Sequence, residues 1–76
     1  MTKMHEMRFH GDTERWNVYD GEELLYSLRC GDALMFQVGK HFLLSNVELD
    51  TDWFVKFGDS KFWLHRRAMY RVRPLF

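Results

Sequence analysis

Apolar and polar residues alternate with a period of two along several short runs of the chain. In Arg15–Tyr19, for example, Trp16 and Val18 share one parity and the polar residues share the other. The same alternation recurs at positions 23–29, 33–38, 53–57, 61–65 and 70–73. Because successive side chains of a strand point to opposite faces, this pattern predicts strands that bury one face.

Glycines next to charged residues separate these runs. The five pairs are Gly11-Asp12, Asp20-Gly21, Gly31-Asp32, Gly39-Lys40 and Gly58-Asp59. Asp50-Thr51-Asp52 fills the one long gap between them, and the resulting even spacing of turn signals predicts an antiparallel meander. The second and fourth pairs suit two-residue hairpin loops, in which positive φ matches the twist of the strands.

The run after the fourth glycine departs from this alternation. Phe42 and Leu44 share one parity, whereas Val47 and Leu49 share the other. One extra residue near Ser45-Asn46 would restore the register, so the sequence predicts a β-bulge or sharp bend there.

Two segments fit more than one structure. Residues 22–28 fit a helix through three leucines, but the flanking glycine pairs favour a strand. Met4 and Met7 fit a short N-terminal turn, whereas residues 7–9 equally fit a strand paired with residues 15–19.

Composition and length limit the fold. Apolar residues make up 46% of the chain and aromatic residues 17%, which is too much for disorder. A chain of 76 residues is expected to form one domain, residues 1–76. Six or seven short strands are too few for a two-layer sandwich. We therefore predict an all-β fold, a small SH3-like, strongly bent antiparallel barrel of five to seven strands. An OB-type barrel is the alternative, but it usually needs a longer chain and a helix.

The predicted core consists of the inward-facing apolar residues. They are Trp16, Val18, Leu24, Tyr26, Leu28, Leu34, Phe36, Val38, Phe42, Leu44, Val47, Leu49, Trp53, Val55, Phe57, Phe62, Leu64, Tyr70 and Val72. Cys30 is the only cysteine, which excludes an internal disulfide and favours a reducing, cytoplasmic location. We expect it to be a small buried hydrophobe rather than a nucleophile. No apolar run approaches the roughly 18 residues of a membrane span, and no signal-peptide h-region precedes the first strand.

Charge is distributed unevenly although the net charge is zero. Residues 1–38 carry four basic and seven acidic residues, and residues 39–76 carry seven and four. Zero net charge argues against a bulk polyanion binder of the histone type. Residues 60–76, however, contain five basic residues and no acid, which draws attention to the surface of the last strands.

A basic face with two exposed aromatics follows from the alternation, if strands adjacent in sequence also pair. Its predicted binding residues are Phe54, Lys56, Lys61, Trp63, His65, Arg66, Arg67, Arg71 and Arg73. Such a face could bind a protein through aromatic and arginine anchors. It could also bind single-stranded nucleic acid by stacking bases. Alternatively, the N-terminal segment or Pro74–Phe76 covers it, and the arginine stems only shield apolar surface.

Catalytic and metal-binding patterns are weak. The six aspartates lie at predicted turns, where their side chains bond the nearby backbone. The four histidines are scattered without ligand spacing, and Asp50 and Asp52 lack the further oxygen ligands and the glycine of a calcium loop. No phosphate-binding loop is present. We therefore expect no enzyme activity, no metal site and no cofactor.

Several short motifs resemble a known family. They are Leu28-Arg29-Cys30-Gly31-Asp32, Gly39-Lys40, Asp52-Trp53-Phe54-Val55 and Tyr70-Arg71-Val72-Arg73. Over about residues 14–73 the chain resembles an uncharacterised family of small β-rich domains of Gram-positive bacteria and their conjugative or phage-derived elements. It departs from that pattern at Ser45-Asn46 and in the basic, aromatic stretch Lys61–Arg67.

The resemblance implies a small accessory or regulatory protein of a mobile element, with no catalytic residues to carry over. We expect a non-catalytic binding module that acts through a protein partner, with a nucleic-acid-binding barrel as the alternative. Homodimerisation through an open sheet edge is a further expectation.

Overall fold

The computed structural model describes residues 5–75, which form eight strands and no helix. The strands are β1 (His5–His10), β2 (Arg15–Asp20), β3 (Glu23–Ser27), β4 (Ala33–Val38), β5 (His41–Leu49), β6 (Trp53–Phe57), β7 (Ser60–Trp63) and β8 (Tyr70–Pro74). The all-β prediction is confirmed, but five to seven strands was too low a count. No helix within the described residues is long and apolar enough to cross a membrane.

The two ambiguous segments are both strands. β1 pairs with β2 in antiparallel register, with Met7 opposite Val18 and Phe9 opposite Trp16. Residues 23–27 form β3, which confirms the strand that was favoured over a helix for residues 22–28. The expectation for Met4 lies outside the described residues.

The strands form one antiparallel sheet in the order β3-β2-β1-β8-β4-β5-β6-β7. The last strand therefore lies in the middle of the sheet, because Tyr70 pairs with Met7 of β1 and Val72 pairs with Phe36 of β4. β3 and β7 are the two edge strands, and no ladder joins them in the described part of the chain. The sheet is therefore not closed into the predicted barrel.

The sheet nevertheless curls around a single core on its inner face. The Trp53 indole Nε1–H on β6 donates to the backbone oxygen of Glu14, in the turn between β1 and β2, at 3.0 Å. The ring of Phe62 on β7 lies 6.2 Å from the ring of Tyr70 on β8, four strands away in the sheet order. The buried core comprises Met7, Trp16, Val18, Leu28, Leu34, Phe36, Val47, Trp53, Val55, Leu64 and Val72.

The predicted bulge in β5 was wrong. The β4–β5 ladder is regular up to Asn46, with Ser45 opposite Leu34, and the β5–β6 ladder begins in regular register at Asn46, opposite Lys56. Ser45 faces the core and is 1% exposed, and its hydroxyl donates to the Leu43 backbone oxygen at 3.0 Å. The break in the apolar alternation therefore reflects a buried polar residue, whose hydroxyl is hydrogen-bonded within its own strand, and not a register shift.

The register shift lies instead between β2 and β3. Val18 pairs with Tyr26 and the next residue, Tyr19, pairs with Leu24, so Leu25 is the extra residue. The bulge moves Leu24 to the outer face, which makes it one of the predicted core residues that are exposed.

Four other predicted core residues are exposed for different reasons. Leu44 lies on the outer face of β5, opposite Met35. Val38 and Leu49 have inward parity but end β4 and β5, beyond the reach of the core. Phe62 points inward from an edge strand that no neighbour covers on its far side, and it is 40% exposed.

Candidate functional site

An aromatic pair lies on the outer face where β6 and β7 meet. Trp53 and Val55 of β6 are buried, so Phe54 between them points outward. Phe54 lies directly opposite Trp63 of β7, with ring centroids 5.1 Å apart. Trp63 is 43% exposed, so the pair presents an indole face to solvent.

Two lysines flank this aromatic pair. Lys56 and Lys61 are directly opposite each other in the same ladder. The Lys61 Nζ lies 4.5 Å from the centroid of Phe54 and 4.7 Å from that of Trp63, so one ammonium contacts both rings. Each such contact contributes roughly 0.5–1 kcal/mol at an exposed site. We call these four residues the Lys–aromatic cluster.

Neither lysine of the cluster has a carboxylate partner within residues 5–75. The acidic residue on the outer face of the neighbouring strand β5 is Glu48, which is opposite Phe54 in the β5–β6 ladder. Its Oε2 atom lies 3.7 Å from Cys30 Sγ. Lys56 and Lys61 are like charges opposite each other in the ladder, so they repel. The cluster therefore has an unbalanced positive charge beside an apolar ring surface.

Cys30 is exposed, which corrects the prediction that it is buried. Its Sγ atom accepts the backbone N–H of Leu49 at 3.4 Å and contacts the Glu48 carboxylate. Activation of a cysteine nucleophile needs an electropositive neighbour. The charged group that contacts Sγ in the structure is the carboxylate of Glu48, which does not favour a thiolate.

Arg71 and Arg73 do not join the cluster. The prediction placed them on a strand next to β7, but β4 and β5 separate β8 from β6. At about 4.8 Å per strand, three steps place them roughly 14 Å from β6. They share the outer face, where the Arg73 guanidinium lies 4.0 Å from the centre of the Phe42 ring and Arg71 pairs with Glu6 in the β1–β8 ladder.

Arg66 is exposed, but its guanidinium makes intramolecular contacts. Its guanidinium donates to Asp52 Oδ1 at 3.3 Å and lies 4.8 Å from the centroid of Phe9 on β1. The backbone N–H of Trp53 donates to the same carboxylate at 2.8 Å. That backbone hydrogen bond, with a smaller contribution from Arg66, lowers the pKa of Asp52. Arg66 thus helps to hold the curled sheet.

His65 and Arg67 lie in the turn between β7 and β8. The turn is closed by the Ala68 N–H, which donates to the His65 oxygen at 2.9 Å. The backbone N–H of His65 donates to the Tyr70 hydroxyl at 2.9 Å, and the His65 ring is nearly perpendicular to the Phe62 ring, with centroids 6.2 Å apart. Both side chains are exposed, but they lie beyond the end of β7 rather than within the four-residue cluster. Of the nine predicted residues, Phe54, Lys56, Lys61 and Trp63 come together.

The expected cover over this face is not provided by the described part of the C terminus. Pro74 is buried opposite Leu34 in the β4–β8 ladder. Leu75 is exposed and lines a cleft with Leu25 and Tyr26, toward the β3 side of the sheet. The remaining parts of this expectation, Phe76 and residues 1–4, lie outside the described residues.

An apolar pocket opens at one end of the inner face. Its volume is about 170 Å³, and its lining residues are Phe36, Gln37, Val38, Phe57, Phe62 and Tyr70. The sequence placed the apolar ones in the core, because alternation shows which residues point inward but not which strand is an edge. The sequence analysis therefore did not predict that Phe62, on the edge strand, is accessible at this pocket.

The cleft on the β3 side has a volume of about 480 Å³ and also contains Asp32 and Ala33. Burial, followed by the nearby Asp32 charge, raises the pKa of Tyr26 above 10.0. Tyr26 is therefore neutral at physiological pH. No group of three or more histidine, cysteine, aspartate or glutamate side chains within residues 5–75 is placed to hold a metal ion.

Comparison with known proteins gives one match. A family model described as a domain of unknown function, DUF5348, matches residues 5–74. No curated protein and no solved structure shows significant similarity to the chain.

Proposed function

We propose that this chain, which belongs to the DUF5348 family of domains of unknown function, is a non-catalytic binding module that acts through a protein partner. The observation that supports the proposal is the Lys–aromatic cluster. Exposed tryptophan is enriched in protein interfaces, where it carries much of the binding energy. In this cluster, Trp63 lies beside Phe54 and two lysines that lack a carboxylate partner within residues 5–75.

The size of the cluster favours a protein over a nucleic acid. Single-stranded nucleic acid is bound along a basic groove with several stacking rings. Here two lysines and two rings lie together, and Arg71 and Arg73 are roughly 14 Å from β6. A compact patch of this kind suits a few side chains of a protein partner.

A nucleic-acid-binding module remains the second candidate, because one ammonium contacts two rings that could stack bases. On this hypothesis affinity for an oligonucleotide falls steeply with salt, since binding releases counterions. Titration of a labelled single strand tests it. Absence of binding at about 50 mM salt would exclude this candidate, because phosphate contacts are strongest at low salt.

The protein-binding proposal is tested by affinity capture from lysate of the source organism with three forms of the chain. The wild type and Leu24→Ala should retain the same protein, and Trp63→Ala should lose it. Leu24 is a matched control, because it is 53% exposed and lies on β3, at the opposite edge of the sheet. Equal retention by Trp63→Ala and Leu24→Ala would contradict a binding role for the cluster.

The finer expectations belong to the same proposal. A strongly curled sheet around one small core supports an SH3-like description, and the family resemblance supports an accessory or regulatory role in a mobile element or phage, in the cytoplasm. The gene next to the one that encodes this chain would indicate the partner. A relaxase gene, a phage structural gene and a host-defence gene would each indicate a different one. Genes without any such connection would weigh against the mobile-element role.

A further inference from the structure

The backbone of β7 has one side that no strand of the sheet covers. The Leu64 N–H donates to the Trp53 oxygen at 3.1 Å, which fixes the hydrogen-bonding phase of the β6–β7 ladder. In an antiparallel ladder the hydrogen-bonded residues alternate, so Phe62 and Ser60 also bond to β6. The N–H and C=O groups of Lys61 and Trp63 therefore point away from β6.

These four backbone groups have no backbone partner within residues 5–75. β7 ends the sheet, and none of the turn or loop hydrogen bonds of the described residues involves Lys61 or Trp63. The next outward N–H, that of His65, is already bonded to the Tyr70 hydroxyl. We call the outward backbone of Lys61 and Trp63 the open edge.

A strand added at the open edge would meet different chemistry on its two faces. On the outer face its side chains would lie beside Lys61, with Lys56 directly behind. On the inner face a side chain would lie beside Phe62, at the apolar pocket of about 170 Å³. Because side chains alternate along a strand, the surface fits a peptide in which acidic and aliphatic residues alternate.

Charge and area both favour such a peptide over a second copy of this chain. Lys56 and Lys61 repel each other across the ladder, and a carboxylate next to Lys61 would offset this repulsion. A specific dimer usually buries more than about 1,000 Å², whereas the open edge spans only two residues with outward backbone groups. Lysine on a short edge strand also disfavours pairing between identical edges.

We propose that the open edge binds an extended acidic segment of a protein partner by antiparallel strand addition. The backbone groups of Lys61 and Trp63 pair with the segment, an acidic side chain contacts Lys61, and an aliphatic side chain contacts Phe62 and enters the apolar pocket. Antiparallel pairing matches every ladder of the sheet. This inference rests on the proposed protein-binding function and specifies the partner and the mode of binding.

The test uses a capped heptapeptide of alternating glutamate and valine as the probe, titrated by calorimetry against the intact chain. One derivative carries N-methyl groups on its glutamates and a second carries them on its valines. In antiparallel pairing the glutamates that face outward donate their N–H groups to the open edge. Methylation of the glutamates should therefore weaken binding at least tenfold, and methylation of the valines should change it less than threefold. Equal effects, or greater sensitivity at the valines, would overturn the proposal.

Protein variants test the charge requirement independently. Lys61→Glu should weaken binding of the glutamate–valine peptide at least tenfold, whereas Lys40→Glu should change it less than threefold. Lys40 is a matched control, because it is exposed in the turn between β4 and β5 and the substitution changes the net charge equally. A double variant, Lys56→Glu with Lys61→Glu, should instead bind a lysine–valine peptide. No exchange of peptide preference would contradict the proposed contact.

Other occupants of the open edge give distinguishable outcomes. A concentration-dependent dimer in sedimentation that Phe62→Glu dissociates would assign the edge to a second copy. Displacement of the bound peptide by an unlabelled single-stranded oligonucleotide would favour nucleic acid. Failure of the peptide to bind, while capture from lysate still depends on Trp63, would overturn strand addition and leave the proposed function standing.

Discussion

The Trp53 side chain joins two parts of the sheet that are far apart in strand order. It is 5% exposed, and its indole N–H on β6 donates to the Glu14 oxygen in the turn between β1 and β2. Trp53→Phe keeps an aromatic ring at this position but removes the donor and the second ring. The substitution therefore tests whether the curl of the sheet depends on this contact.

The magnitude follows from two losses. The hydrogen bond to the carbonyl of Glu14, an exposed turn residue, contributes about 0.5–1.5 kcal/mol. The smaller ring leaves a gap that costs about 1 kcal/mol, a fraction of the roughly 3–5 kcal/mol for complete removal of a buried aromatic. The total is about 1.5–2.5 kcal/mol. A domain of 76 residues has a free energy of unfolding of about 4–11 kcal/mol, so the loss is a large share of it.

Thermal unfolding followed by circular dichroism measures this effect, with Trp63→Phe as the control. At about 4–8 °C per kcal/mol, Trp53→Phe should lower the Tm by roughly 6–20 °C. Trp63 is 43% exposed on the outer face, and its substitution should change stability by less than about 0.5 kcal/mol. Equal Tm values for the two variants would refute the argument that Trp53 links the two halves of the sheet.

Three further predictions concern backbone strain and titration. Gly31 has φ 96°, so Gly31→Ala should lower the free energy of unfolding by about 1–2 kcal/mol. Gly11→Ala, at a glycine without positive φ, should change it by less than about 0.5 kcal/mol. Equal effects of the two substitutions in urea unfolding would contradict the strain at Gly31. The lowered pKa of Asp52 means that its charged form stabilises the fold above the unfolded value of 3.8, and this contribution is lost as pH falls through the folded pKa. The unfolding free energy of Asp52→Asn should therefore fall less steeply below about pH 4 than that of the wild type, and parallel curves would exclude the effect. Burial, and to a smaller extent the Asp32 charge, raise the pKa of Tyr26, so Asp32→Asn should lower the pH at which Tyr26 ionises. An absorbance titration measures this ionisation, with Tyr26→Phe as the reference that lacks it. An unchanged titration would contradict the contribution of Asp32.

Local alternation predicted most of the inward-facing side chains because each strand buries one face. It succeeded where one parity is apolar and the other polar, as for Trp16 and Val18 in β2 or Leu34 and Phe36 in β4. It failed in β5, whose apolar residues occur on both faces. The exposed Leu44 on the outer face was assigned to the core for this reason.

The alternation of apolar and polar residues could not predict the order of the strands in the sheet. Pairing of β8 with β1 and β4 joins residues more than 30 positions apart, and a period of two carries no information about the neighbour across the ladder. The sequence therefore predicted Phe54 and Trp63 as an outward pair, since β6 and β7 are joined by a short turn. It placed Arg71 and Arg73 on the same patch only by assuming that the last two strands pair, which was wrong.

Amide hydrogen exchange of β7, measured residue by residue by NMR, tests the central claim most directly. The N–H groups of Lys61 and Trp63 point away from β6 and should exchange rapidly, whereas the Phe62 N–H, bonded to β6, should be protected. Addition of the glutamate–valine peptide should slow exchange at Lys61 and Trp63. Protection of both amides in the peptide-free, monomeric chain would show that this edge is already covered and would contradict the account.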